Sequence, residues 1–333
     1  MATIVEMINP LTGLPEQVDK LDHTAQEIDD AVGRSLPGAA IDAAINAKPN
    51  PNLLDNWYFG NPVNQRGISS GTGPANAYGI DRWKFLNSGT LTIGSDYIAI
   101  ASDTHPYALQ QYIEPGRFAG VIGMTATLSA LVKGNGRLKI SLGSSNAGAY
   151  SNYFSYSDWT LVQLQGTIVS GTDYHIYVQT RQGSGNCYVK AVKLELGSQQ
   201  TLAHQDADGN WVLNEIPDYG EQLARCQRYY QVIPANVMLS GIVTASNTVL
   251  SVTAFLSQTM RTTPTVSIAN FTGTIIGVSS AISAGSALTS VAVAAAPPVT
   301  SVRLSFNSNT SLGSTWRPAA LQLSSPIILS ADL

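Results

Sequence analysis

Charge is scarce in this sequence. Lys, Arg, Asp and Glu supply 12% of its 333 residues, about half the share of an ordinary soluble domain. The basic residues form no run and the net charge is −4, so the electrostatic footprint of a nucleic-acid binder is missing. Cysteine is nearly absent: Cys187 and Cys226 are the only two, which excludes a disulfide framework and a cysteine-based zinc site. No stretch approaches the ~20 consecutive apolar residues of a membrane helix, so no membrane insertion is expected. The opening residues 1–17 lack a basic n-region and a continuous apolar run. No secretory signal is read there, and synthesis in a cytoplasm is expected.

Small polar residues and glycine fill the gap, alongside 44% hydrophobic residues. A polar but uncharged surface suits extracellular β-structure and broad subunit contacts, because buried hydroxyls cost less than buried charges. The length suits two or three domains.

Only the beginning has helical spacing. Leu11, Leu14, Val18, Leu21, Ala25, Ile28 and Val32 recur every three or four residues, an a/d seam of about three heptads. Pro15 fits a first helical turn, and Gly33 with Pro37 reads as a stop. A stripe this narrow builds no globular core by itself. No charge interrupts it, so Leu14, Val18, Leu21, Ala25, Ile28 and Val32 are expected to form an oligomerising coiled coil, the alternative being one amphipathic helix lying on a domain. A weaker helix is expected over 39–45. Lys48-Pro49-Asn50-Pro51-Asn52 then reads as a stiff linker.

Beyond it the period becomes two. Strands are expected at 90–93, 97–101, 123–131, 137–142, 160–164, 174–180 and 187–196, punctuated by turns such as Gly134-Asn135-Gly136 and Gly183-Ser184-Gly185-Asn186. Short strands at this spacing describe a β-sandwich or jelly roll. Residues 198–230 read as a connector. Within it, Gln205–Asn210 is a turn rather than a calcium loop with an incomplete ligand set, and a short helix runs over 219–230. In 231–333 the only charged side chains are Arg261, Arg303, Arg317 and Asp332. Strands are expected there at 237–244, 248–256, 265–269, 288–294, 301–306 and 321–329. A lone β-domain with so little charge risks edge-to-edge association, a second sign of an obligate oligomer.

The expected fold is mainly β, in four parts. Residues 1–51 are a short N-terminal α-helical oligomerisation segment with its linker, and 52–197 a jelly-roll β-sandwich. Residues 198–230 are a helical connector, and 231–333 a C-terminal β-sandwich.

Three passages carry a resemblance. Asn52-Leu53-Leu54-Asp55-Asn56 leads into Asn61-Pro62-Val63-Asn64-Gln65-Arg66-Gly67 and then Tyr78-Gly79-Ile80-Asp81-Arg82-Trp83. Together these resemble the opening of jelly-roll carbohydrate-binding domains in phage and prophage tail-fibre proteins. Residues 188–197 resemble that domain's closing strand, and Glu221–Tyr230 the hinge before a C-terminal β-domain. The resemblance implies a homotrimeric, virion-borne receptor-binding fibre that attaches to tail or baseplate proteins through its N-terminus and adsorbs to a host cell-surface glycan. Related jelly rolls often bind structural calcium through acidic residues of the closing strand. Lys190 and Lys193 stand in that stretch here, so no cofactor and no metal are expected.

Catalytic patterns are missing. No pair of carboxylates has the setting of a glycosidase, no G-x-S-x-G elbow occurs, and His23, His105, His175 and His204 lack metal spacing. The chain is therefore not expected to be an enzyme and no catalytic residue is assigned. Asp81 beside Arg82 reads as a strand-edge ion pair. Sugar binding asks for exposed aromatic faces with amides and hydroxyls at the rim. Tyr150-Ser151-Asn152-Tyr153-Phe154-Ser155-Tyr156 supplies both. The glycan-binding candidates are Tyr150, Tyr153, Tyr156, Tyr107, Tyr112 and Asn152, with Tyr97 at the same end, while Trp57, Trp83 and Trp159 are assigned to the core. Two alternatives remain: a structural fibre or baseplate protein, and a glycan depolymerase with its site built between subunits.

Overall fold

The computed structural model describes residues 4–8, 15–19, 50–101, 108–144, 148–180, 185–244, 248–277, 282–283, 288–295, 298–313 and 316–333. The chain divides into two compact units, Met1–Pro49 and Asn50–Leu333.

In the first unit, β1 (Ile4–Ile8) pairs antiparallel with β2 (Pro15–Asp19), Val5 opposite Val18. Val18 thus lies in a strand, which corrects the helix expected across it. The β-prone run Ile4-Val5-Glu6-Met7-Ile8 offers a pairing partner, and such non-local pairing overrides the local heptad period. Leu14, Leu21, Ala25, Ile28 and Val32, and the helix expected over 39–45, lie outside the described residues.

The second unit begins with the jelly roll. Its strands are β3 (Ser70–Gly73), β4 (Tyr78–Ile80), β5 (Trp83–Phe85), β6 (Gly89–Ile93), β7 (Ile98–Ala101) and β8 (Ala108–Tyr112). There follow β9 (Thr125–Gly143), β10 (Ala149–Tyr150), β11 (Phe154–Thr167), β12 (Asp173–Gln179) and β13 (Cys187–Leu196). Two antiparallel sheets result. Sheet I runs β3-β6-β7-β13-β9-β11, and sheet II runs β4-β5-β8-β12-β9-β10. Alternate residues of the two inner faces, among them Leu128, Leu138, Ile140, Ile176, Val189 and Leu194, form one core with Trp57 and Trp83.

Strand β9 belongs to both sheets: residues 126–134 pair with β13, and 137–143 with β12. Gly134-Asn135-Gly136, expected to be a turn, is instead where the strand passes from one sheet to the other. Gly134 has φ +85, and a Cβ there would lie 2.2 Å from the Asn186 carbonyl oxygen. A Cβ on Gly136 would meet the Gln179 carbonyl oxygen at 2.6 Å. The glycines allow close backbone approach at a sandwich corner rather than chain reversal.

The connector holds the hairpin β14 (Ala203–Gln205) and β15 (Trp211–Leu213), closed by Asp206, whose Oδ1 accepts from the Asp208 and Asn210 amides. Helix α1 (Tyr219–Gln227) follows, with the Asp218 side chain capping the Glu221 amide. It buries Gln222 and Cys226.

The C-terminal domain contains β16 (Tyr230–Ile233), β17 (Met238–Val243), β18 (Val249–Met260), β19 (Thr265–Ile268) and β20 (Gly273–Ile276). It continues with β21 (Ile282–Ser283), β22 (Leu288–Ala294), β23 (Val299–Ser308), β24 (Pro318–Leu323) and β25 (Ile327–Ser330). A three-stranded sheet, β16-β25-β19, accompanies a seven-stranded one, β21-β20-β24-β17-β18-β23-β22, and their buried residues share a second core. The single strand expected over 321–329 is two, one in each sheet. Pro326 lies in the gap between them, with no N–H for a ladder.

The opening passage and the hinge behind the resemblance meet at one buried junction between jelly roll, α1 and the end of the chain. Asp55, 1% exposed, receives Arg82 at 3.1 Å, Arg117 at 3.1 Å and Arg225 at 2.8 Å. Burial raises the Asp55 pKa, but the three guanidinium groups outweigh it and hold the carboxyl below its ordinary value. Arg82 also lies 3.5 Å over the Tyr229 ring. Asn56 joins the junction: its side chain accepts from the Val63 amide and donates to the Asp81 and Val63 carbonyls, and its backbone N–H donates to Gln222 Oε1. Arg66 bridges to Asp332 at 2.7 Å over the Tyr230 ring, and the Tyr78 hydroxyl donates to the Leu333 carbonyl. Asp81 and Arg82 are therefore not a strand-edge pair. Both are buried, Arg82 on Asp55 and Asp81 on Gln65 and Arg66.

Candidate functional site

The outer face of sheet II is built by register. Lys84 stands opposite Gln110, Gln110 opposite Tyr177, Tyr177 opposite Lys139, and Lys139 opposite Tyr150. These five form one row across five strands. Tyr112, His175 and Ser141 make a flanking row, and Gln179 with Arg137 the other. Because side chains alternate along a strand, β12 sends Tyr174, Ile176 and Val178 into the core and leaves His175, Tyr177 and Gln179 on this face.

The rings are stacked along it. His175 lies 4.7 Å from Tyr177 at 20°, and 5.3 Å from Tyr112. Lys139 Nζ sits 4.7 Å from the Tyr177 ring centre and 5.2 Å from that of Tyr150. The Arg137 guanidinium lies 4.1 Å over Tyr150 and 4.6 Å over Tyr153, while its Nε donates to Gln179 Oε1 at 2.6 Å. Cations over aromatic faces are held by the ring quadrupole. Burial, with the Tyr112 and Tyr150 phenols nearby, pushes Tyr177 up to about 12, so its hydroxyl stays protonated.

His175 Nδ1 is 2.6 Å from Asp173 Oδ1. A carboxylate only accepts, which assigns the proton to Nδ1. Burial lowers the His175 pKa despite the Asp173 contact, so the ring is neutral at pH 7 and Nε2 is an acceptor. That Nε2 is buried and has no partner among the described residues, and the same holds for Gln110 Oε1. His175 is 3% and Gln110 1% exposed.

The structure brings several sequence candidates to this face. Tyr150 and Tyr153 are 46% and 44% exposed. Asn152 is exposed between them in a loop tied to β9, where Ser151 Oγ accepts from the Leu138 amide. Tyr112 lies on the flanking row. Tyr156 is apart: it sits on β11 opposite Gly134, stacked on Phe154 at 5.6 Å. Tyr107 lies outside the described residues. Lys84, Gln110, Arg137, Lys139, His175, Tyr177 and Gln179 were missed. Their signal was parity: Arg137 with Lys139, and His175 with Tyr177 and Gln179, alternate against apolar neighbours.

A second aromatic cleft, of about 280 Å³, lies on sheet I among Asp96, Tyr97, Lys133, Trp159 and Tyr188. Trp159 lines it half-buried, which corrects its assignment to the core: a bulge in β11 between Tyr156 and Thr160 takes it out of alternation. Tyr97 belongs here rather than with Tyr112. Lys190 lies 4.7 Å over Trp159 and is already paired with Asp96 at 2.8 Å.

Among the described residues, no group of three or more His, Cys, Asp or Glu is placed to hold a metal ion, and no helix is long and apolar enough to cross a membrane. No family model and no curated protein matches this chain. Among solved structures it is similar to the CBM22-1 xylan-binding domain of Paenibacillus barcinonensis Xyn10C, at 12% identity and TM-score 0.30, over 45% of this chain and 96% of that one. It is also similar to BiXyn10A CBM1, at 18% identity and TM-score 0.28, over 44% and 99%. TmCBM61, solved with β-1,4-galactotriose, matches at 10% identity and TM-score 0.25, over 44% and 99%. Likeness this partial bears on neither the fold nor the function of this chain, which rest on its own strand pairing and side chains.

Proposed function

We propose that the jelly roll binds a carbohydrate on the outer face of sheet II. The observation that carries this reading is the pair of exposed rings, Tyr150 and Tyr153, set beside Arg137 and Lys139 on that face. A sugar ring has C–H faces that lie on Tyr150 and Tyr153. Binding is favoured over hydrolysis because the strands of sheet II carry one carboxylate, Asp173, and His175 engages it, whereas glycosidases use two.

Tyr150→Ala and Tyr153→Ala are each expected to weaken binding of the full chain to host cells or a glycan array by about 1–3 kcal/mol. Their melting temperatures should stay near wild type, since exposed rings add little to the core. Wild-type binding by both variants would move the site elsewhere. Reducing ends released from a bound polysaccharide would make the protein a depolymerase.

Within the same reading the chain acts as a homotrimeric receptor-binding component of a phage tail fibre, attached through its N-terminal residues. Its support is the resemblance of the three passages, and the charge-poor C-terminal domain. On that domain Phe255 is 85% and Trp316 67% exposed, and exposed rings on such a surface favour a partner. Sedimentation equilibrium at micromolar concentration is expected to give the trimer mass; a stable monomer overturns this part.

A further inference from the structure

We infer that the ligand of this face is an acidic glycan, whose carboxylate, sulfate or phosphate groups are held by Arg137, Lys139 and Lys84. The inference rests on the carbohydrate reading above and adds the charge of the ligand.

Among the described residues, the other basic side chains of the jelly roll and connector, Lys133 apart, are matched to acids. Arg82, Arg117 and Arg225 share Asp55, Arg66 takes Asp332, Lys190 takes Asp96, Lys193 takes Glu215, and Arg228 takes Glu114. Lys84, Arg137 and Lys139 have no carboxylate partner among the described residues, and all three stand on the outer face of sheet II. Lys133 also lacks one, but it stands on sheet I, in the Trp159 cleft. In a chain with net charge −4, general solubility does not call for unneutralised cations gathered on one face. Arg137 and Lys139, two residues apart on β9, are both half-buried, so their mutual repulsion is screened less than that of freely exposed charges. An anion arriving between them relieves it.

The details suit a planar or tetrahedral anion. Gln179 fixes Arg137 through Nε, which leaves the two terminal nitrogens as a fork for a carboxylate or phosphate. Lys139, between Tyr177 and Tyr150, supplies a point charge in the next row. The rings beside these cations serve the sugar's C–H face.

The test uses matched pairs on one array with the full chain: tetragalacturonate and its methyl ester, sialyllactose and lactose, and sulfated and phosphorylated oligosaccharides beside their neutral parents. Binding is expected to favour the acidic members by about 10-fold or more, as for hydrogen bonds to charged groups, and to weaken as NaCl rises from 50 to 500 mM. The preferred pair identifies the anion. Arg137→Gln and Lys139→Gln should each erase most of the preference, Lys139→Arg should retain it, and Arg303→Gln, on the C-terminal domain, should leave it unchanged. Equal binding of neutral and acidic members overturns the inference and leaves the carbohydrate reading intact. An acidic preference that survives both glutamine variants overturns the assignment to these residues. No binding to any glycan overturns both readings.

Discussion

Asp55→Ala is expected to cost roughly 3–5 kcal/mol of stability, the range for removing one partner of a buried ion pair. Arg82, 2% exposed, would lose its carboxylate while remaining inside. Arg117 and Arg225 can turn toward water, being less buried, so the loss centres on Arg82. Urea unfolding followed by fluorescence measures it. The junction joins jelly roll, α1 and chain end, so the variant is also expected to unfold with lower cooperativity. The pH dependence follows from the lowered Asp55 pKa. Its stabilisation is fully present above the unfolded value near 3.8 and is lost as pH falls through the lower folded value. The gap between wild type and Asp55→Ala should therefore be constant from pH 5 to 7 and close in stronger acid. A loss below about 1 kcal/mol, the scale of surface ion pairs, would mean that the junction contributes no more than an exposed pair.

Trp83→Ala is expected to destabilise by about 3–5 kcal/mol. Trp83 is fully buried, meets Phe59 edge-on at 5.2 Å, and donates Nε1–H to the Asn56 carbonyl at 2.7 Å. Alanine leaves both a cavity and an unpaired carbonyl beside the Asp55 junction. Trp83→Phe keeps most of the volume and loses the hydrogen bond, so it should fall between. Any loss of binding by Trp83→Ala should track its unfolded fraction and vanish at temperatures where it is folded. A stable Trp83→Ala protein that has lost binding would reverse the assignment of Trp83 to the core and Tyr150 to the surface.

Much of the β-structure is legible along the chain because one buried face imposes a period of two. Strand 187–196 and strand 288–294 have the expected bounds. Tyr150 and Tyr153 also read correctly as exposed, since a loop of Ser and Asn gives a ring no core to enter. Other features had no local signature. Gly134-Asn135-Gly136 has the composition of a turn, and only the contacts with Asn186 and Gln179 make it a crossing between sheets. Val18 matches a helical seam but finds a strand partner. Asp55 looks like one more turn aspartate, although its three arginines come from 27, 62 and 170 residues away.

The sequence by itself determined the mainly β fold and the scarcity of charge, because alternation and composition are properties of neighbouring residues and of the chain as a whole. It also marked the junction motifs as belonging together, without indicating what they do. Tertiary structure alone decided that those motifs form a buried ionic junction, and that Lys84, Gln110, Tyr177, Lys139 and Tyr150 form one row. Strand register across the sheet sets that row, and register depends on pairings between segments far apart in the chain.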